Sequence, residues 1–227
     1  MASTSFKPYI PANPFRSKRL IYRAVEDNEE DRIFLHQLLN DPAQQLLGTM
    51  VLPRPHTKGD AAQFLASQQS RLLGVIICLP PLEKAAREPE SGVAEEDKFM
   101  MTHEILYPAR PVPIGRLSLR HTMGAGTEHH RNAIMGISFI ESARGNGYGR
   151  EAINWALDWA FEIAGLHRVT LEVLSTNEWA LWLYRSVGFV EEGRQREAIW
   201  QFRKWHDVVT LGILEGEWLK LKGREDE

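Results

Sequence analysis

The chain has 227 residues, of which 43% are hydrophobic and 25% are charged, and its formal net charge is −3 at pH 7. This composition is typical of a globular protein with a sizeable core. The slightly acidic net charge argues against nucleic-acid binding. The single cysteine, Cys78, excludes a disulfide framework and a metal site built on several thiolates. Because no apolar run approaches the ~20 residues that span a bilayer, and the N-terminus lacks a signal-peptide core, we expect a cytoplasmic protein with no membrane, nucleic-acid or metal partner.

The N-terminal part of the chain predicts an arm followed by strands and helices. Residues 1–19 are rich in proline and are expected to form an extended arm. Apolar periodicity then predicts a strand at Leu20–Val25, helices at Asp27–Asn40 and Lys58–Leu72, and a strand at Leu73–Leu79. Residues 80–113 are rich in proline and carry an acidic run, which predicts an insertion loop, either simply solvated or acting as a lid.

The C-terminal part predicts a βαβ unit, a helix and a hairpin. Strands are expected at Ile114–Arg120, Ile134–Ile140 and His167–Leu174, with a long helix ending at Ala164 between the last two. A strand, a helix and a strand in this order imply parallel neighbours joined by a right-handed crossover. Ser175 to Glu178 has the form of a capping box for the next helix, which ends at Gly188. A final hairpin is expected around Arg194–Phe202 and Asp207–Leu214.

A glycine-rich turn follows the Ile134–Ile140 strand and precedes the long helix. Glycines permit positive φ and close approach of the backbone to a ligand, and a helix start offers free N–H groups to an anion. The P-loop pattern fails because Arg150 stands five places after Gly145. The dinucleotide pattern fails because it needs glycine at position 150. What remains is Arg144-x-x-Gly147-x-Gly149, either as a phosphate loop of another kind or as a turn without a ligand.

That turn resembles the pyrophosphate loop of the GNAT superfamily of acyl-CoA N-acyltransferases. A second motif, Leu171-Glu172-Val173-(x3)-Asn177-(x2)-Ala180-(x3)-Tyr184-(x3)-Gly188-Phe189, resembles the C-terminal half of the same enzymes and follows at the matching distance. The closest likeness is to the branch that acetylates the N-termini of ribosomal proteins, on Leu20-Ile21-Tyr22-Arg23, Gly136-Ile137-Ser138, Arg196-Glu197-Ala198 and His206-Asp207-Val208. The insertion is longer than that branch usually carries.

The resemblance implies an α/β (α+β) fold, in which helices flank a mixed, mostly antiparallel sheet with one splayed parallel strand pair. It implies one GNAT domain over residues 20–220, with the insertion at 80–113 and a charged tail at 221–227. It also implies acetyl-CoA as co-substrate, with its diphosphate on the glycine turn and its pantetheine arm along the central strand. The residues expected to bind it are Phe139, Ile140, Arg144, Gly145, Asn146, Gly147, Tyr148, Gly149, Arg150 and Asn177. Asn177 is equally compatible with a helix N-cap.

The resemblance further implies acetyl transfer to a primary amine in a ternary complex. Glu172 is the candidate general base and Tyr184 the candidate acid that protonates the CoA sulfur; the alternatives are an exposed strand carboxylate and a packed aromatic. Ser138, Glu141 and Glu197 are reserve candidates. The acceptor is expected to be a protein N-terminus, a polyamine or a small amino compound. The alternative function is a non-catalytic acyl-CoA-binding regulatory module, and the sequence predicts no oligomeric state.

Overall fold

The computed structural model describes residues 13–81, 110–124 and 126–223. They form a seven-stranded sheet with the strand order β1-β2-β3-β4-β5-β7-β6. The strands are β1 (Ile21–Ala24), β2 (Leu73–Leu79), β3 (Val112–His121), β4 (Asn132–Phe139), β5 (Arg168–Leu174), β6 (Val190–Gln201) and β7 (Lys204–Leu214). The helices are α1 (Glu29–Leu39), α2 (Pro42–Leu47), α3 (Lys58–Gln69), α4 (Tyr148–Asp158), α5 (Glu178–Val187) and α6 (Glu215–Leu221). None of these described helices is long and apolar enough to cross a membrane.

The parallel pair β4–β5 separates soon after it forms. Residues Asn132–Ile134 of β4 pair with Arg168–Thr170 of β5, and the described pairing ends there. The β5 strand is instead paired along its whole length with β7, in antiparallel register, and β4 is paired with β3 in the same sense. The expected mixed, mostly antiparallel sheet with a splayed parallel pair is therefore confirmed.

The sheet separates two layers of helices. On one face, α4 and α5 cover apolar side chains of the central strands, among them Met135 and Leu171. On the other face, α1 and α3 pack Leu35 and Leu65 against Ile76. We call these the α4–α5 face and the α1–α3 face. Because side chains alternate along a strand, each residue of β4 and β5 belongs to one face or the other.

The arm preceding β1 is docked on α4 over the part that the structure describes, residues 13–19. The Trp155 Nε1 donates to the Pro14 carbonyl of the arm at 2.8 Å, and the Tyr22 ring of β1 stacks on Trp155 with centroids 3.6 Å apart. The Ser17 hydroxyl and the Arg19 guanidinium both donate to the Glu151 carboxylate, each at 2.7 Å. Burial raises the pKa of Glu151, but these hydrogen bonds and the Arg19 charge outweigh it and leave the pKa below its ordinary value. The arm thereby fixes the first turn of α4.

Several predicted boundaries differ from the observed ones, and the long helix expected to end at Ala164 changes at Trp159 into a π-helical turn that covers Trp159–Ile163. The predicted helix Asp27–Asn40 is observed as α1, Glu29–Leu39, and Asp41 then caps α2, a helix that was not predicted and in which Pro42 stands at the first position. Proline suits that position because its missing N–H would have no partner there. The predicted helix Lys58–Leu72 ends at Gln69, as α3.

Helix α6, which was not predicted, takes in the first residue of the expected charged tail, residues 221–227, and buries Trp218 against the core. Residues 224–227 lie outside the described residues. The insertion leaves the sheet at Leu79 and returns at Val112, which are register partners. It is therefore the connection of a β2–β3 hairpin, and residues 82–109 lie outside the description.

A buried ion pair joins β1 to α1 and yields a stability prediction. Asp31 is fully buried and receives both Nη atoms of Arg23, at 2.8 and 2.5 Å. Asp31→Asn removes the charge that balances this guanidinium, and we expect the free energy of unfolding in urea to fall by about 3 kcal/mol. Asp27→Asn breaks the more exposed pair with Arg32 and should cost less than about 1 kcal/mol. Equal losses in the two variants would contradict this account.

Candidate active site

The separation of β4 from β5 leaves an opening in the middle of the sheet. Beyond Ile134 on β4 and Thr170 on β5 the two strand edges have no mutual pairing. We call this opening the gap. Backbone groups along its edges are free to hydrogen-bond an extended, peptide-like ligand, since unpaired backbone groups must find partners.

A glycine turn lies at the end of β4. A short 3₁₀ turn at Glu141–Ala143 leads into Gly145 and Gly147, whose φ angles are +77° and +76°. Such left-handed conformations are costly for residues that carry a Cβ atom. Gly147 stands at the N-cap of α4, which no side chain caps. The first N–H groups of the helix and its positive dipole end are therefore open to an anion.

The predicted cofactor residues of this turn lie together, but several are bonded to protein groups. Arg144 donates to the Phe139 carbonyl from Nε and Nη2, at 3.1 and 2.9 Å. Its Nη2 also pairs with Asp41 at 2.7 Å. The Asn146 side chain donates to the Arg144 carbonyl at 3.0 Å, and the Asn146 carbonyl accepts from Arg19 at 2.9 Å. The charge of Arg144 is thus paired within the protein, and the turn is held in shape before any ligand arrives.

The remaining predicted residues on α4 connect it to its neighbours. Arg150 donates to the Ser186 carbonyl at 2.9 Å and to its hydroxyl at 2.6 Å, so its guanidinium binds the end of α5. A Cβ atom at Gly149 would lie 3.2 Å from Leu183, which shows how closely α4 and α5 approach there. Tyr148 lies under the Arg19 guanidinium at 4.7 Å. Ile140 hydrogen-bonds to β3 through its backbone N–H.

Asn177 uses both ends of its amide. Its Oδ1 accepts from the Ala180 N–H at 3.1 Å, so the N-cap interpretation is confirmed, and the predicted capping box starting at Ser175 is wrong. Its Nδ2 donates to the Leu47 carbonyl at 3.0 Å and ties the end of α2 to the start of α5. Binding of a ligand by Asn177 would have to replace that second bond.

Tyr184 lies on α5 and packs against the core of the α4–α5 face. Its ring packs edge-on against Phe189, with centroids 5.9 Å apart. Burial raises the pKa of the phenol to about 12, and the positive charge of Arg116 lowers it by less. The phenol therefore keeps its proton at neutral pH. Arg116 belongs to the α1–α3 face and α5 to the other, so the two side chains come from opposite sides of the sheet.

Glu172 lies on β5 just beyond the last β4–β5 pair. Val169, Leu171 and Val173 belong to the core on the α4–α5 face, so alternation directs Glu172 to the α1–α3 face. It is exposed and stands opposite Thr210 of β7. Within the described ranges its carboxylate has no hydrogen-bond or ion-pair partner.

A cavity of about 410 Å³ opens on the α1–α3 face. Its walls come from α1, α2, the following loop and α3, and its floor contains Arg116 and Ser138. These two residues are register partners on β3 and β4. Ser138 was a reserve candidate, whereas Arg116 was not identified from the sequence. The sequence signal that could have identified Arg116 is the alternation of polar residues along Ile114–Arg120. This strand is third of seven in the sheet, where a charged side chain is unusual.

The other reserve candidates lie away from this floor. Glu141 is exposed in the 3₁₀ turn after β4, and Glu197 is exposed in an irregular part of β6 with a φ of +52°. Across residues 13–81, 110–124 and 126–223, no group of three or more histidine, cysteine, aspartate or glutamate side chains is arranged to hold a metal ion. Cys78 is a buried free thiol.

Comparison with known proteins identifies the same region. The model of the acetyltransferase (GNAT) family matches residues 86–189. A spermidine N(1)-acetyltransferase of Vibrio cholerae is 38% identical over 90 residues, which are 40% of this chain and 52% of that protein. YdaF of Bacillus subtilis, provisionally named as a ribosomal N-acetyltransferase, is 29% identical over 89 residues, or 39% of this chain and 49% of that protein. The chain thus spans about half the length of the curated relatives that it matches.

Solved structures share the fold over almost their whole length. The Vibrio cholerae spermidine N-acetyltransferase in complex with CoA and spermine has a TM-score of 0.63 and 24% identity, covering 89% of this chain and 99% of that one. A GNAT-family acetyltransferase from Bacillus anthracis has a TM-score of 0.62 and 18% identity, covering 88% and 98%. Over residues 86–189 the chain is thus similar in sequence to the acetyltransferase (GNAT) family, and it shares the fold of solved acetyltransferases.

Proposed function

We propose that the protein is an N-acetyltransferase that moves an acetyl group from acetyl-CoA to a primary amine. The observation that carries this proposal is the gap between β4 and β5: a glycine turn follows the end of β4, and Ser138 of the same strand lies in the floor of the cavity on the α1–α3 face. A donor bound at the turn and an acceptor bound in the cavity meet at the gap. Holding both reactants in one orientation accounts for a large share of such a rate enhancement.

The turn suits the diphosphate of CoA. No side chain caps the first N–H groups of α4, and the helix dipole favours negative charge there. Because Arg144 and Arg150 already bond to protein groups, we assign the diphosphate to backbone N–H groups rather than to guanidinium groups. The two arginines then act by holding the turn against β4 and α5.

The pantetheine arm suits the gap because it contains amide groups. The β4 edge facing β5 has no strand partner beyond Ile134, so its N–H and C=O groups can pair with the arm as a neighbouring strand would. In this arrangement the thioester lies between Glu172 on one side and Tyr184 on the other. A β4 N–H directed at the thioester oxygen would stabilise the negative charge that develops during attack.

Transfer requires two proton movements. The acceptor ammonium loses a proton to Glu172, directly or through a water molecule, and the neutral nitrogen attacks the thioester carbon. The carbon–sulfur bond then breaks, and Tyr184 gives its proton to the departing thiolate. A phenol with a pKa of about 12 is protonated before the reaction, which is the state that an acid needs.

The names of the relatives support an amine acceptor without selecting one. One relative is named for spermidine and another for ribosomal N-acetylation. We therefore propose a protein N-terminus, a polyamine or a small amino compound as the acceptor class, and the ribosomal branch as one member of that range. CoA binding without turnover of any amine would instead favour a regulatory module that binds acyl-CoA.

The glycine turn provides a test of the donor site. Gly145 has a φ of +77° and no atom within 4 Å of an added Cβ, so Gly145→Ala strains the backbone without a steric clash. We expect CoA affinity in isothermal titration to fall by about tenfold or more, since a strain of 1–2 kcal/mol disfavours the binding conformation. Gly193→Ala, also without a close neighbour but with an ordinary φ, is the control. Unchanged CoA affinity in Gly145→Ala would remove the diphosphate from this turn.

Tyr184→Phe tests the proposed acid. It removes the proton donor but keeps the ring against Phe189, so kcat should fall by about 10²-fold while the CoA dissociation constant changes little. Release of thiol gives the rate, and titration calorimetry gives the affinity. Tyr22→Phe, which removes another buried phenol away from the gap, should keep kcat. A Tyr184→Phe enzyme with full activity would show that this residue only packs.

Glu172→Gln tests the proposed base through its pH dependence. At neutral pH kcat/KM should fall by about 10²-fold, because most of the acceptor remains protonated without a base. As the pH rises towards the pKa of the acceptor amine, the amine loses its proton to solvent, so the deficit should narrow. Glu178→Gln, an exposed substitution on α5, should follow the wild-type profile. A deficit that is constant with pH would contradict a role as base.

A further inference from the structure

We propose that Arg116 binds a carboxylate group of the acceptor, and that the acceptor is a free α-amino acid with an apolar side chain. This inference rests on the proposed function and names the substrate class of the same site. It concerns a residue that the mechanism above does not use. Its basis is a guanidinium without a counter-ion in the floor of the acceptor cavity.

Arg116 lies where a bound acceptor would meet the gap. Its side chain is on the α1–α3 face of β3, opposite Ser138 and under the Phe64 ring at 5.1 Å. A Cβ atom at Gly136 would lie 3.3 Å from its Nη1, so the guanidinium extends across β4. Gly136 stands two residues beyond Ile134, the last β4 residue paired with β5. The positive charge is therefore beside the gap.

This guanidinium has no carboxylate partner among the described residues. Its one hydrogen bond is a long contact of 3.4 Å to the Ser118 hydroxyl, and its Nε is buried without a partner. Burial and the nearby charge of Arg71 lower its pKa to about 10, which still leaves it protonated at neutral pH. The residue is partly buried, and a charge withdrawn from water is ordinarily balanced by an opposite charge.

A second orphan group points to the same ligand chemistry. Ser138 is 5% exposed and its hydroxyl has no hydrogen-bond partner among the described residues, although it lines the cavity floor next to Arg116, its register partner. A guanidinium and a hydroxyl on one cavity floor present several donors side by side. Two carboxylate oxygens accept hydrogen bonds from such a set.

The charges of the cavity wall oppose a polycation. Asp60 is the acidic residue in the described lining, and it is already used by the helix cap and by a basic neighbour. It accepts from the Thr57 N–H at 2.7 Å and pairs with Arg54 at 3.0 Å. Arg116 adds a positive charge that nothing balances. A spermidine-like acceptor would bring further positive charge into this wall, whereas a carboxylate would neutralise it.

The shape and the apolar lining of the cavity restrict the range of possible acceptors further. Because Arg116 is beside the gap, the carboxylate and the reacting amine must be close together, as they are in an α-amino acid. A peptide N-terminus has an uncharged amide at that place. The cavity is about 410 Å³, within the range of small-molecule sites, and much of its wall is apolar, from Leu38, Leu39, Val51, Leu52, Pro53 and Phe64.

The experiment compares amines that differ at the carboxylate. Each assay contains acetyl-CoA and one amine, and rates are compared at equal concentrations of neutral amine. The amines are L-leucine and L-leucinamide, L-phenylalanine and its amide, and spermidine. We expect wild-type kcat/KM to favour each free acid over its amide by ~10-fold or more, as expected for a hydrogen bond to a charged group. Arg116→Gln should remove that preference, and Arg116→Lys should keep part of it.

Matched controls distinguish a loss of carboxylate binding from a folding defect and from a loss of CoA binding. Arg120→Gln, on the same strand and face but outside the cavity lining, should keep the preference. Arg116→Gln should bind CoA as the wild type does, and calorimetry should show that it no longer binds leucine in the presence of CoA. Equal use of acids and amides by the wild type, or better use of spermidine, would overturn the proposal.

The carboxylate that Arg116 binds could instead belong to the acyl group of the donor. In that case succinyl-CoA should give a higher rate than acetyl-CoA, and Arg116→Gln should remove this difference. That result would also overturn the assignment of Arg116 to the acceptor. Failure of the proposed function has a different signature, because CoA then binds without turnover of any amine. Leucine binding by calorimetry still tests Arg116 in that case.

Discussion

The limited pairing between β4 and β5 is the constraint on which the rest of the site depends. Three residue pairs hold the strands together, and β5 then follows β7 instead. Had the parallel pairing continued, each β4 and β5 backbone group would have had a partner, and the sheet would have separated its two faces completely. The separation leaves free backbone groups inside a folded core, and it lets groups from both faces approach one ligand.

The surrounding interactions hold this opening in shape. The arm before β1 fixes the first turn of α4 through Glu151, and Arg144 fixes the turn against β4. Asn177 fixes α2, and with it one wall of the cavity, to the start of α5. These contacts use side chains that sequence motifs associate with ligand binding. In this chain they preorganise the site, which lowers the cost of ordering it when a ligand binds.

The parts of the site that depend on local backbone chemistry could be predicted from the sequence. Gly145 and Gly147 mark left-handed positions, and alternation along β5 places Glu172 on the face opposite Leu171. Contacts between residues distant in sequence could not be predicted. The pairing of Arg144 with Asp41 requires the loop before α2 to lie beside the turn, and the floor formed by Arg116 and Ser138 requires the β3–β4 register. Helix α6 was missed because its charged residues conceal one buried side chain, Trp218.

The central claim is that one ligand spans the glycine turn and the gap. A crystal structure with acetyl-CoA tests it most directly. We predict that the diphosphate will lie against the N–H groups between Gly145 and Gly149, with the pantetheine arm along β4 and the sulfur within hydrogen-bond reach of the Tyr184 phenol. A structure in which the diphosphate lies elsewhere, or in which β4 and β5 close against each other beside a bound ligand, would contradict the account.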